Sequence, residues 1–112
     1  DRVVATISHL PYLLSAALVA TAASEAETDD AVWRLAAGGF RDMSRLAGSD
    51  IRMMSDIIST NTQAIAVLLA QFRLQLAILE KMLIGRDENN LNEALRPVRE
   101  ARREWSQNYE KR

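Results

Sequence analysis

Residues 60 to 84, "TNTQAIAVLLAQFRLQLAILEKMLI", constrain the fold more than any other part of the chain. Ile65, Leu69, Phe72, Leu76, Leu79 and Leu83 recur at alternating steps of four and three, which places them in one seam of an α-helix. Val67, Leu74, Ile78 and Met82 form a second apolar stripe on a different face. A helix with two such faces needs more cover than one small bundle supplies, so burial against a second copy of the chain is expected.

The rest of the sequence also reads as helix. From Arg2 to Ser24 the apolar positions Val3, Val4, Ile7, Leu10, Leu14, Ala17 and Leu18 share a face, and Leu13, Ala16, Ala20 and Ala23 fill much of the remainder. This predicts a helix buried nearly all round, bent at Pro11, beside His9 and Tyr12. "SEAETDD" is a linker in which Asp29 or Asp30 caps a short helix over residues 31 to 37. Gly38 and Gly39 are expected to end that helix by adopting the left-handed conformation. A helix over about residues 40 to 47 stops at Gly48, and Ser49 or Asp50 caps the next, which runs to about Ser59. "GRDENN" turns the chain into a charged amphipathic helix from Leu91 to about Tyr109, with Pro97 as a local misfit. No strand alternation occurs. The expected class is all-α: one domain over residues 1–112, a helical bundle with a long central helix.

Composition narrows the function. The 112 residues carry fourteen basic and fifteen acidic side chains, a net charge of −1, with no long run of one sign, which argues against nucleic acid. The absence of cysteine removes disulfides, thiolate metal sites and a thiol nucleophile, and no metal site is expected. Leu10 to Ala23 is too short and too rich in small polar residues to span a bilayer, so no membrane role and a cytoplasmic location are expected. The start at Asp1, almost directly in apolar sequence, suggests a fragment whose upstream part is missing.

Chemistry concentrates in two places. His9, the only histidine, lies with Ser8 in an apolar helix, where a buried polar group needs a partner from protein or ligand. Arg41, Asp42 and Arg45 follow the glycine pair. They read either as a solvated helical face or as an anion pocket, in which glycine permits close approach and an arginine grips a carboxylate through two parallel hydrogen bonds. Trp33 and Trp105 are core or interface anchors, and Arg99, Arg102 and Arg103 a solvated face. No phosphate loop, dinucleotide fingerprint or nucleophile–base pair is recognisable.

The stretches "DRVVATISHLPYLLSAALV" and "RLAAGGFRDMSRLAGSD", in this order and spacing, resemble the C-terminal helical domain of prephenate dehydrogenases, and the likeness covers essentially the whole chain. The resemblance implies a C-terminal domain of the 6-phosphogluconate-dehydrogenase-like type, paired as an intertwined homodimer. It also implies an enzyme of tyrosine biosynthesis that oxidatively decarboxylates prephenate to 4-hydroxyphenylpyruvate. In that enzyme NAD or NADP is bound mainly by an N-terminal domain, whose histidine assists loss of the hydroxyl proton; this part alone is expected to be inactive. By the same resemblance Arg45 pairs with a substrate carboxylate, Gly38 forms the pocket wall, Ser8 and His9 line the site, and Asp1 belongs to its ionic network. Tyr12 stands where many relatives have a second histidine and Met54 where many have a tryptophan, so arogenate or cyclohexadienyl dehydrogenase remains an alternative to prephenate dehydrogenase. A helical interaction module without catalysis is the competing class.

Overall fold

The computed structural model describes residues 1–110, and among them every regular element is helical. Helix α1 runs Arg2–Ala26, α2 Ala31–Arg34, α3 Gly38–Ser44, α4 Ile51–Ser59, α5 Thr62–Ile84 and α6 Glu88–Trp105. A 3-10 turn, Arg45–Gly48, follows α3, and a π turn, Ser106–Glu110, follows α6. The chain divides into two compact units, residues 1–70 and 71–110 of those described.

Helix α1 begins where the Asp1 carboxylate accepts from the amides of Val3 (2.8 Å) and Val4 (3.4 Å), meeting donors that a first turn leaves unpaired. The irregularity expected at Pro11 takes the form of a π turn, Ala5–His9, in which the Leu10 amide donates to the Ala5 carbonyl. Pro11 has no amide for the carbonyl of Ile7, and widening the helix just before it eases the crowding by its ring. The same turn buries both Ala5 and His9. Beyond it, Thr21 is accommodated in the apolar helix by donating to the Ala17 carbonyl at 2.8 Å.

The core of the first unit is small. Ala5, Ile65 and Leu68 are buried together, with Leu10, Leu13, Ile58 and Ala64 packed around them. Helix α1 is therefore not buried all round: Val3 and Ile7 are 67% and 71% exposed, because the chain's own elements cover one side of it. Of the α5 seam, Ile65 is buried and Leu69 and Phe72 half-buried, while Leu68, outside both stripes, is buried as well.

The glycine pair also differs from expectation. Helix α2 ends at Arg34, and Gly38 and Gly39 open α3, preceded by Ala37 in an extended conformation. No described glycine has a positive φ. The left-handed residue is instead Arg86, at φ 52° in the turn after α5. There the Asp87 amide donates to the Met82 carbonyl (3.0 Å) and the Arg86 amide to that of Leu83 (3.2 Å), the paired bonds of a Schellman cap. Pro97 neither splits nor ends α6.

The capping expectations at residues 29–30 and 49–50 hold, and Asp87 supplies a further cap. Asp50 accepts from the Met53 amide at 3.0 Å and starts α4, and Asp87 accepts from the Asn90 amide at 3.3 Å and starts α6. Before α2 it is Asp29 that accepts from the Ala31 amide, while Asp30 pairs with Arg34.

The stretch Leu10 to Ala23 is part of a longer helix: α1 has 25 residues and α5 has 23, and both are long and apolar enough to cross a membrane by length and composition alone.

In the second unit, the C-terminal part of α5 and α6 expose Leu74, Leu76, Ile78, Leu83, Leu95, Val98 and Trp105. Arg102 is not simply solvated: its guanidinium lies 4.7 Å from the centre of the Trp105 ring and pairs with Glu110.

Candidate functional site

His9 is the most deeply placed ionisable side chain described, at 3% exposure, on the π turn of α1. Its ring nitrogen Nδ1 lies 3.3 Å from Nδ2 of Asn61, at the start of α5. Asn61 also reaches the first residue: its Nδ2 donates to the Asp1 carbonyl at 2.8 Å. Thus Asp1, His9 and Asn61, distant in sequence, form one polar cluster.

A second tie concerns the arginine-bearing turn. Ser15, 2% exposed, accepts from the Ala47 amide at 3.0 Å and holds the turn Arg45–Gly48 against α1. Ser15 lies six residues beyond His9, about 9 Å along a helix at 1.5 Å per residue. The fold therefore docks the segment carrying Arg45 on the helix carrying His9. Arg41, Asp42 and Arg45 are exposed, and among the described residues none of them is in an ion pair. This leaves the guanidinium groups available to an anion.

The other expected site residues are distributed as follows. Ser8 and Gly38 are exposed and Tyr12 is half-buried. A Cβ built on Gly38 would meet no atom within 4 Å, so packing in this chain does not demand glycine there. Met54 is buried at 9% exposure. The Asp1 carboxylate is occupied as a helix cap. A hollow of about 500 Å³ in the second unit is lined by Ile78, Lys81, Met82, Gly85, Asp87 and Asn90, none of them an expected site residue. Among the described residues no cluster of His, Asp and Glu suited to a metal occurs.

Sequence reasoning passed over Asn61 and Ser15. Asn61 carried the ordinary signal of a helix start, and its carbonyl does accept the first α5 bond, from Ile65 at 3.1 Å. Ser15 looked like one more small residue in an alanine-rich helix.

Residues 1–97 match the family described as "Prephenate dehydrogenase, dimerization domain". The cyclohexadienyl dehydrogenase of Zymomonas mobilis is 31% identical over 103 residues, 91% of this chain and 35% of that protein. A prephenate dehydrogenase of Lactococcus lactis is 31% identical over 87 residues, covering 78% and 25%, and one of Bacillus subtilis is 40% identical over 65 residues, covering 58% and 18%. Among solved structures, Synechocystis arogenate dehydrogenase matches with a TM-score of 0.87 at 29% identity, over 94% of this chain and 38% of that one. The chain belongs to the prephenate dehydrogenase family, in the part described as its dimerization domain. It spans about a third or less of the length of the curated relatives it matches.

Proposed function

We propose that this chain is the subunit-joining and substrate-contacting part of a dehydrogenase that converts prephenate to 4-hydroxyphenylpyruvate with loss of carbon dioxide. The observation that carries this reading is the family match across residues 1–97. Arg45 supplies a countercharge to a substrate carboxylate from a turn held by Ser15, and His9 contributes a polar group from the neighbouring helix. NAD or NADP accepts the hydride when bound. On the family reading it is held mainly by an N-terminal domain, and these helices contribute to the substrate side.

The joining role has its own support. Ala5, Ile65 and Leu68 make a small core for a chain that leaves Leu74, Leu76, Ile78 and Leu83 about half exposed or more. Burial of apolar side chains is the main term opposing the conformational entropy of a folded chain, so these faces are best satisfied by a second copy of the same helices. A protein partner of this kind accounts for the apolar exterior of α1 and α5 without a bilayer.

The test is Arg45→Ala in the full-length protein, assayed with prephenate and with arogenate. Loss of a charged contact to substrate is expected to lower kcat/KM by about ten- to a thousand-fold. Unchanged kinetics with both substrates overturns the assignment, and a loss confined to arogenate makes that the substrate.

A further inference from the structure

Asn61 stands at the start of the 23-residue α5, where an asparagine ordinarily turns its side-chain oxygen onto the second or third amide of its own helix. Here the side chain is turned toward Asp1, sixty residues away in sequence, whose carbonyl accepts from Nδ2 at 2.8 Å. The orientation of the amide group follows from the Asp1 carbonyl: Nδ2 faces this acceptor, and a reversed amide would set Oδ1 against it with no hydrogen to share. Its orientation is thus set independently of the histidine. The remaining Nδ2 hydrogen is directed at His9 Nδ1, 3.3 Å away.

A carboxamide nitrogen only donates, so Nδ1 of His9 must accept. A neutral imidazole that accepts at Nδ1 carries its proton on Nε2. Nε2 makes no hydrogen bond among the described residues, yet no fully enclosed polar atom of a side chain is left unpartnered, so this nitrogen keeps an open approach. A buried ring with one nitrogen fixed from behind and the other presented as an N–H suits an oxygen acceptor.

We infer that Asn61 is a positioning residue that fixes the neutral, Nε2-protonated form of His9, so that the ring donates a hydrogen bond to an oxygen of the bound acid. The inference rests on the reading of His9 as a residue of the substrate site, and the tests separate the two.

In the full-length protein labelled with ¹⁵N-histidine, the His9 signals are assigned by their loss in His9→Gln. The parent is expected to show Nδ1 unprotonated and Nε2 protonated. Asn61→Asp places an acceptor against Nδ1 and is expected to move the proton there or to charge the ring. In that variant kcat/KM for prephenate falls about 10- to 100-fold, the scale found when a partner that orients a histidine is removed, with the loss in KM and little change in kcat. A purely structural role would lower the active fraction, and so kcat, in step with folded protein. Circular dichroism and sedimentation of the same sample supply that fraction.

An Nδ1-protonated parent, or a loss in Asn61→Asp that follows the folded fraction with KM unchanged, overturns the positioning role. If His9→Gln folds and keeps parental kinetics, His9 is not in the substrate site, and the inference falls with that assignment whatever the spectrum shows. The spectrum of the parent needs no substitution at Asn61, so a variant that fails to fold does not remove the test.

Discussion

The hydroxyl oxygen of Ser15 accepts a hydrogen bond from the main-chain amide of Ala47 at 3.0 Å, joining α1 to the turn that carries Arg45 across 32 residues of sequence. Ser15→Ala leaves that partly buried amide without a partner. Stability is expected to fall by about 1–3 kcal/mol, the cost of an unsatisfied donor, measured as a shift in the midpoint of urea unfolding. Under conditions where the variant is folded, KM for the acid substrate should rise as well, because the arginine-bearing turn loses its anchor. A variant with parental stability and kinetics would show the tie to be incidental.

Arg86 adopts φ 52° at the left-handed position of the cap that ends α5. Its Cβ is crowded against its own backbone there, a cost of about 1–2 kcal/mol that glycine escapes. Arg86→Gly is therefore expected to stabilise the chain by up to about 1 kcal/mol after the added entropy of the unfolded state, read as a higher melting temperature. A lower melting temperature would mean that the arginine side chain contributes more than its backbone costs.

Leu76 and Leu83 are 53% and 66% exposed in the single chain, on the seam of α5. Introducing Leu76→Glu with Leu83→Glu should leave the helix content unchanged while placing charges where a second copy would dock. Sedimentation velocity is expected to show the parent as a dimer and the double variant as a monomer. A double variant that remains dimeric at micromolar concentration would move the interface elsewhere.

Glu110 titrates below the ordinary carboxylate range, first because the Ser106 hydroxyl donates to it at 2.7 Å and further because of Arg102, against an opposing desolvation. A carboxylate whose folded pKa is depressed contributes stability that is present above the unfolded value and is lost as pH falls through the folded one. The turn Ser106–Glu110 should therefore fray on the acid side. In an NMR titration, Ser106→Ala is expected to bring the Glu110 transition back toward the ordinary value, and an unmoved transition would assign the shift to Arg102 alone.

What could be read in the sequence depended on the range of each interaction. Asp50 and Asp87 announce their helices because a cap and the amide it satisfies are only three residues apart. The two apolar faces of α5 were legible because periodicity is local, and their exposure in the single chain follows from it. The glycine pair was misjudged because glycine tolerates many conformations: the residues that cap one helix also serve to begin another, and only the surrounding packing decides. Asn61 was hidden for the opposite reason. Locally an asparagine here signals no more than a helix start, while its side chain answers to Asp1 and His9, and nothing near it in sequence records that.

The π turn before Pro11 has a further consequence. It holds one residue more than a regular helical turn, so the angular setting of His9 relative to Asp1 depends on how many residues lie between them, not only on which ones. Each residue of a helix advances the direction of the next side chain by about 100°, at 3.6 residues per turn. A codon lost anywhere from Ala5 to Ile7 would restore ordinary pitch, and the tighter pitch would offset most of the lost rotation, leaving the imidazole turned from its amide partner by only a fraction of that angle. Substitution in this stretch changes a contact; deletion changes the pitch.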